Sequence, residues 1–367
     1  MFKPPIGQSA AISKLQAAIT QNRLTSAYLF TGPDGVGRKL AAQWLIEQFL
    51  CDQSTIHPDV LSIEPTFTKD GQQYTLAEAE ENGLTAKSRS QIRIDQIRQI
   101  TTLLQQPPLL ASRSIIIIDG AETMTEAAAN ALLKVLEEPG QATLILIAPA
   151  INHLLPTIRS RCQIIRFKRL TSKLLSQVLQ ELCPELIKYP DLIRFAQGSP
   201  GQAIAAWKNL HQIPGSLIKA LNQPNRPIWA SLSLSRQLQT LDFALQLWLL
   251  NYLQFQAWQR SRSSTVFHQF EQTRTYLSQH CQTQLVWDCL LTSLPEIQWQ
   301  FPEIMRSQYQ RLSSPPKPEV LEQVNVRQLT DPELASKRGG RQTDLFEAFS
   351  TKRNFNGNSS SSTIQPP

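Results

Sequence analysis

The first part of the chain alternates short apolar runs with segments of helical spacing. The apolar runs have the composition of strands buried in a parallel sheet and lie at residues 27–30, 60–63, 115–118 and 143–148. Apolar positions at helical spacing occupy residues 39–50, 92–104 and 125–138. Strands that alternate with helices indicate βαβ units, so we predict a doubly wound α/β domain over residues 1–168.

Two further changes of pattern divide the rest of the chain. Residues 66–90 are rich in Lys, Glu, Gln, Asn and Gly without a sustained period, which predicts an exposed insertion. Beyond Lys168 the strand pattern stops, and short helical segments predict a small helical unit over 169–210 and a second helical domain over 211–312. Residues 313–367 are rich in Ser and Pro and predict a disordered tail.

Length and composition narrow the class of protein. A chain of 367 residues is long enough for two or three domains of about 150 residues each. No stretch approaches the roughly 20 uncharged apolar residues of a membrane span. The amino terminus lacks the features of a secretory signal, so we expect a cytoplasmic protein without membrane contact.

The charge and the cysteine content of the chain indicate no specific ligand or metal site. Lys plus Arg total 36 against 29 Asp plus Glu, a net charge of +7 that mildly favours contact with an acidic polymer. The five cysteines are widely spaced and contain no Cys-x-x-Cys pair, which excludes a disulfide framework and a cysteine-only zinc site. We therefore expect no metal and no bound cofactor.

A glycine loop follows the first predicted strand and resembles a phosphate-binding loop. In the standard pattern the glycines are followed by a lysine that reaches the outer phosphates and a hydroxyl that holds Mg²⁺. Gly32, Gly35 and Gly37 fit this frame. Arg38 stands in the lysine position and Lys39 in the hydroxyl position, so the Mg²⁺ ligand is missing. Whether this degenerate loop still binds a nucleotide is left open.

A second nucleotide motif is incomplete in the same way. In phosphate-loop ATPases a buried strand ends in Asp-Glu, where the aspartate assists Mg²⁺ and the glutamate polarises the attacking water. Here Asp119 follows the isoleucine run but Gly120 replaces the glutamate. Glu122 comes two residues later, and the exit direction of a strand predicts that it points elsewhere. The two losses together predict that the chain does not hydrolyse ATP.

Several longer motifs carry a resemblance to a known family. They are His57-Pro58-Asp59, residues 115–122, the helical segment 130–139 that ends in Glu-Glu-Pro, and Ser160-Arg161-Cys162. With the glycine loop, they resemble the AAA+ clamp-loader subunits of bacteria, in particular the delta-prime family of DNA polymerase III. The resemblance is close over residues 1–210 and rests on helical character and order over 211–312. It implies an AAA+ parallel-sheet domain, a small helical lid domain and an all-α collar domain.

The resemblance also implies a function. Delta-prime subunits have degenerate nucleotide motifs and help to load the sliding clamp on primed DNA, while the tau/gamma subunits hydrolyse ATP. Pro149 and Ala150 replace the polar sensor of the ATPase subunits. Arg161 matches an arginine finger that acts in trans on the nucleotide of a neighbouring subunit, and Arg159 is its nearest competitor. The implied partners are tau/gamma, delta, the sliding clamp and, through the complex, primed DNA.

Two features concern the parts of the chain where the family pattern changes. Many relatives carry a four-cysteine zinc module after the first helix, but only Cys51 fits its start, so we predict no zinc. In the tail, residues 342–346 are similar to the pentapeptide that binds sliding clamps. Gln342 would bond the rim of a pocket while Leu345 and Phe346 fill its apolar floor.

Two other functions stay open at the level of sequence. The chain could be an ATP-hydrolysing clamp-loader motor, against which Arg38, Lys39 and Gly120 argue. It could also be an AAA+-derived interaction module of a DNA-repair assembly, which the partners that copurify with it would reveal.

Overall fold

A computed structural model describes residues 3–50, 57–69, 72–75, 78, 90–223, 226–279, 281–294 and 301. The described chain forms two compact units. The first ends at Asn222 and also includes Phe301, and the second begins at Gln223. The finer division at residues 168, 210 and 312 stays a prediction, and the predicted tail lies outside the described residues.

The first unit is built on a five-stranded parallel sheet. Its strands are β1 (Ala27–Thr31), β2 (Val60–Ile63), β5 (Ser114–Asp119), β6 (Ala142–Ala148) and β7 (Gln163–Arg166). Their order across the sheet is β2-β5-β6-β1-β7, and every neighbouring pair is parallel. Every residue of β5 and β6 is buried, which confirms the strands predicted from their apolar runs.

One strand of this sheet was not predicted. β7 lies at the edge of the sheet, where Gln163 and Arg166 are exposed and Ile165 is buried. Four residues with polar ends do not form an apolar run, so the pattern gave no signal for this strand.

Helices cover both faces of the sheet. One face packs against α3 (Ile94–Leu104) and α4 (Glu126–Glu137), and the other against α1 (Ser9–Thr20) and α2 (Arg38–Leu50). The side chains of alternate strand residues enter the two cores, so each face of the sheet is closed by its own helix pair. This arrangement confirms the α/β fold class.

A β-hairpin occupies the start of the predicted insertion. β3 (Thr66–Lys69) and β4 (Gln72–Thr75) pair antiparallel, and Phe67 is buried with its ring 6.1 Å from that of Tyr74. The expectation of an exposed insertion is wrong at Thr66 and Phe67, which are buried, although Thr68 and Gln73 are exposed. The strands gave no signal because they mix one apolar residue with polar neighbours. Residues 79–89 lie outside the described part.

The remaining described elements are helical. The first unit continues with α5 (Pro156–Arg159), α6 (Ser172–Leu182), α7 (Pro190–Phe195), α8 (Pro200–Gln212) and α9 (Gly215–Asn222). The second unit consists of α10 (Ile228–Leu238), α11 (Phe243–Ser261), α12 (Ser264–Ser278) and α13 (Thr283–Ser293). The predicted helical region after the sheet is confirmed. Over the described residues, no helix combines the length and the apolar character that crossing a membrane requires.

A closed polar network ties α11 to α12 inside the second unit. Arg274 is 5% exposed and donates to both oxygens of Glu271 at 2.6 Å. It also donates to Asn251 Oδ1 at 2.7 Å and to Gln254 Oε1, and Gln254 donates to Glu271 at 2.9 Å. We call these four residues the helix cluster. Each member has a partner inside the cluster, as a buried charge requires.

Candidate functional site

The glycine loop lies where β1 ends and α2 begins, at the carboxyl edge of the parallel sheet. This edge is where open α/β folds bind ligands. The glycine spacing is required by close packing: Gly35 has φ +72°, and a Cβ atom there would lie 2.8 Å from the Cα of Gly201. Gly32 and Gly37 complete the loop, so the strand, loop and helix predicted from the sequence are confirmed.

The helices that follow the sheet close over the glycine loop. Ser199 caps α8, and its hydroxyl donates to the carbonyl of Asp34 at 2.6 Å. The amide of Gly201, in the first turn of α8, donates to the carbonyl of Gly35 at 2.9 Å. Such amides have no partner within their own helix, and the loop supplies one. The loop is thus bonded directly to the amino terminus of α8.

The amino-terminal segment holds the loop from another direction. The Gln8 amide donates to the carbonyl of Val36 at 3.2 Å and to that of Lys168 at 2.7 Å. Its oxygen accepts from the Lys168 amide at 3.1 Å. Gln8 is buried and joins the loop to the chain segment that leaves β7.

Arg38 turns back toward the loop itself. Its guanidinium forms an ion pair with the carboxylate of Asp34, and both side chains are nearly inaccessible, with Arg38 4% exposed. The two residues are four positions apart, at the first turn of α2. The arginine that replaces the phosphate-binding lysine is therefore engaged by a carboxylate of the loop.

Lys39 supplies a positive charge beside the aspartate of the second nucleotide motif. Its Nζ contacts Glu64 and lies 3.3 Å from Asp119 Oδ2. Burial alone would lower the pKa of Lys39, but the carboxylates of Asp119 and Glu64 outweigh it and raise the pKa above its ordinary value. An ammonium group thus neutralises the aspartate that, in ATPases, assists a metal ion.

Glu122 belongs to this site, contrary to the prediction that it points elsewhere. Gly120 adopts φ +73° and starts a 3₁₀ turn over Ala121–Thr123, which brings the chain back toward the sheet edge. Both carboxylate oxygens of Glu122 are buried and have no hydrogen-bond partner on another described residue. Burial, with the nearby carboxylates of Asp34 and Asp119, raises its pKa to about 7.

We call this site the loop cluster, and it consists of Asp34, Arg38, Lys39, Glu64, Asp119 and Glu122. Sequence reasoning identified Arg38, Lys39 and Asp119 and missed the other three. Glu64 follows β2, which neighbours β5, so its place beside Asp119 could have been inferred from the predicted strands.

Arg161 lies outside the loop cluster, in the turn between α5 and β7. Its guanidinium donates to Glu137 Oε1 at 2.7 Å and to the carbonyl of Thr157 at 3.1 Å. The side chains of Arg161 and Glu137 are 37% and 54% exposed. The next residue, Cys162, packs against the core, where burial raises the pKa of its thiol to about 11. The partly buried cysteine packs one side of this turn against the core, while the arginine lies at the surface.

The other candidate residues have separate positions. Arg159 donates to Asn152 Oδ1 at 3.3 Å. Cys51 and the tail residues Gln342, Leu345 and Phe346 lie outside the described residues. Within the described ranges, no group of three His, Cys, Asp or Glu side chains could hold a metal ion.

Two family models match the chain in succession. The first, described as DNA polymerase III, delta subunit, matches residues 7–171. The second, described as the C-terminal domain of cyanobacterial DNA polymerase III delta prime, matches residues 173–294. The first match ends three residues after residue 168, the predicted end of the α/β domain.

Individual relatives agree with these models. The chain is 34% identical over 154 residues to DNA polymerase III subunit delta' of Pseudomonas aeruginosa, covering 37% of this chain and 41% of the relative. It is 32% identical over 184 residues to the delta' subunit of Bacillus subtilis, covering 49% and 54%. The Bacillus subtilis tau subunit is 31% identical over 173 residues, covering 47% and 30%. The matches thus span less than two thirds of each relative's length.

A solved structure with a related description is a gamma subunit-related protein of Thermotoga maritima. It is 19% identical, with a TM-score of 0.48, and the match covers 77% of this chain and 98% of that one.

Proposed function

Since the chain belongs to the delta-prime family of DNA polymerase III subunits, we propose that it is a clamp-loader subunit that does not hydrolyse ATP. In this role it assembles with tau/gamma and delta subunits and helps to load the sliding clamp on primed DNA. The observation that carries the proposal is the position of Lys39, whose ammonium group contacts Asp119 and Glu64.

Hydrolysis by a phosphate-loop protein needs a lysine on the outer phosphates, a hydroxyl for Mg²⁺ and a group that orients the attacking water. Arg38 and Lys39 occupy the first two positions, and each forms an ion pair with a carboxylate of the protein. Gly120 occupies the third. An ATP molecule would have to displace three internal ion pairs, and the hydroxyl that holds its Mg²⁺ would still be missing.

An ATPase assay on the isolated full chain tests this part of the proposal. We expect no Mg²⁺-dependent turnover above background, because the three groups above are replaced. Turnover that disappears in Lys39→Ala would contradict the proposal and support the motor function instead.

We further propose that Arg161 acts in trans on ATP bound to a neighbouring tau/gamma subunit. Its ion pair with Glu137 is exposed, and such pairs contribute only about 0–1 kcal/mol, so the guanidinium can leave its partner at little cost. A guanidinium is always charged and binds phosphate oxygens with two parallel donors. These properties suit the stabilisation of charge on a transferring phosphoryl group.

Substitution of Arg161 by alanine in a reconstituted loader tests this role. We expect DNA-stimulated ATP turnover to fall about tenfold or more at constant complex assembly, because an arginine finger stabilises the transition state. Arg159→Ala is the matched control, since Arg159 lies two residues away and its guanidinium donates to Asn152 of the same chain. Unchanged turnover in Arg161→Ala, or an equal loss in the control, would refute the role of Arg161.

The clamp-binding pattern at Gln342, Leu345 and Phe346 stays a prediction from the sequence. If these residues bind the sliding clamp, they give the clamp loader a further contact with the clamp, made by a segment of only five residues.

A further inference from the structure

Arg161 has a carboxylate partner that the neighbouring cations in the sequence lack. Six Lys or Arg residues lie between residues 159 and 173, and residues 139–180 contain no Asp or Glu. Over the described residues, Arg161 alone among these six forms an ion pair, from its Nη2 to Glu137 Oε1 at 2.7 Å. We call Arg161 and Glu137 the resting pair. The one ion pair of this basic segment therefore involves the arginine that the proposed function requires.

Glu137 gains little from its own helix. It is the last residue of α4, and the carboxyl end of a helix carries a partial negative charge that disfavours an acidic side chain. The side chain is also mostly exposed, so it buries little apolar surface. An acidic residue at this position therefore finds its favourable contact in Arg161 rather than in α4.

A second acceptor holds the guanidinium in the same position. Nη1 of Arg161 donates to the carbonyl of Thr157 at 3.1 Å. Thr157 lies in α5, a four-residue helix, and carbonyls at the carboxyl end of a helix lack partners within it. Two acceptors of the same chain thus define where the guanidinium lies, each bonded to a different nitrogen.

A phosphate group would compete with Glu137 for this guanidinium. Guanidinium groups bind phosphate oxygens through two parallel N–H donors, and both terminal nitrogens of Arg161 already donate within the chain. A phosphate on the same guanidinium would also lie close to the Glu137 carboxylate, and two negative charges at such a distance repel each other. The arginine therefore has two alternative anionic partners, one in its own chain and one on a nucleotide.

We propose that Glu137 restrains Arg161 in an inactive position until ATP on a neighbouring tau/gamma subunit comes close enough to displace it. This inference rests on the proposed action of Arg161 in trans. The phosphates of ATP carry several negative charges and Glu137 carries one, so the nucleotide prevails when the two subunits are in close contact. While they are apart, the resting pair lowers the fraction of time in which the guanidinium contacts the nucleotide. Glu137 acts through Arg161 and does not itself contact ATP.

ATP turnover by the reconstituted loader without DNA tests this inference. We expect Glu137→Gln to raise this turnover by about two- to fivefold, since fivefold corresponds to an exposed ion pair of about 1 kcal/mol. Glu138→Gln, at the adjacent exposed glutamate, is the matched control and should leave turnover unchanged. The melting temperature of the isolated chain should not fall in either variant.

A double variant shows whether the increase passes through the arginine. Glu137→Gln with Arg161→Ala should turn over ATP at the rate of Arg161→Ala alone, because Glu137 acts only on the guanidinium. In Glu137→Gln, kcat should rise while KM for ATP stays the same, since the released group stabilises the transition state. DNA-stimulated turnover, in which Arg161 already reaches the nucleotide, should change by less than about twofold.

The outcomes separate the inference from the function on which it rests. Unchanged turnover in Arg161→Ala refutes the action in trans and the inference with it. A loss in Arg161→Ala together with unchanged or lower DNA-free turnover in Glu137→Gln overturns the inference alone. Equal increases in Glu137→Gln and Glu138→Gln, or an increase that persists in the double variant, would indicate a general effect of charge and overturn it as well.

Discussion

Each unit of the protein buries an arginine beside a carboxylate, but the two sites differ in how completely their polar groups are paired. In the helix cluster, Arg274 donates to Glu271, Asn251 and Gln254, and Gln254 also donates to Glu271. In the loop cluster, Arg38 and Lys39 contact carboxylates, while Glu122 is buried without a partner on another described residue. Buried polar groups that all have hydrogen-bond partners stabilise a fold. A buried polar group without a partner costs stability, and such exceptions are expected at functional sites.

The elements that carry the two clusters explain this difference. Glu271 and Arg274 lie three positions apart on one helix, and their partners lie on the helix packed against it. The loop cluster instead gathers residues from the ends of β2 and β5, the glycine loop and a 3₁₀ turn. The carboxyl ends of parallel strands commonly form ligand sites, and at this edge the loop cluster sets two cations, Arg38 and Lys39, among four carboxyl groups.

The largest expected effect comes from opening the helix cluster. Arg274→Met should lower the free energy of unfolding by about 3–5 kcal/mol, because Glu271 and two amide oxygens lose a charged donor in a buried place. Denaturant unfolding followed by circular dichroism measures this loss. Arg260→Met, at an exposed position on α11, is the matched control and should change stability by less than about 0.5 kcal/mol. Equal losses of stability in Arg274→Met and Arg260→Met would show that the buried network around Arg274 contributes no more than an exposed arginine.

An intermediate effect is expected at Lys39. Lys39→Thr should cost about 2 kcal/mol at pH 8, because Asp119 and Glu64 then lie close together without a cation. Millimolar Mg²⁺ should recover part of this stability in the variant and leave the unsubstituted chain unchanged. Thermal unfolding with and without Mg²⁺ measures both quantities, with the exposed Lys173→Thr as control. A variant as stable as the unsubstituted chain would show that Lys39 does not neutralise this site.

The smallest expected effect concerns the incomplete part of the loop cluster. The pKa of Glu122 is raised to about 7, so its ionisation destabilises the fold increasingly as the pH rises from about 4.5 to 7. Glu122→Gln should therefore raise the free energy of unfolding at pH 8 by about 1–2 kcal/mol, less than the full shift because a buried amide also lacks partners. At pH 4 the variant and the unsubstituted chain should be equally stable.

Unfolding at both pH values tests this sign. Glu126→Gln is the control, since Glu126 is exposed at the start of α4. Destabilisation of Glu122→Gln at pH 8 would mean that the ionised carboxylate has a favourable partner. The polar groups of the loop cluster would then be paired as completely as those of the helix cluster.

The sequence predicts the fold where burial is strong and continuous. The runs at 115–118 and 143–148 gave β5 and β6 because strands covered on both faces are apolar throughout. β7 and the hairpin were missed because their four-residue strands mix apolar and polar positions. Short-range spacing therefore identified four of the five strands of the sheet, including β2 at one edge, and missed β7 at the other edge.

The same limit applies to the candidate site. Arg38, Lys39 and Asp119 could be identified because a known pattern fixes their positions along the chain. The place of Glu122 depends on the left-handed conformation of Gly120, which the letter sequence does not specify. The carboxylate of Asp59, in the His57-Pro58-Asp59 motif, accepts three amides from residues about 50 positions away, and no local pattern encodes such a contact.

The hydrogen bonds from Ser199 and Gly201 to the glycine loop bear on how the first unit behaves over time. These bonds join the loop to the amino terminus of α8 without a ligand, so the polypeptide itself makes the contact. We therefore expect the contact to persist, and the two segments to move together, whether or not ATP is present.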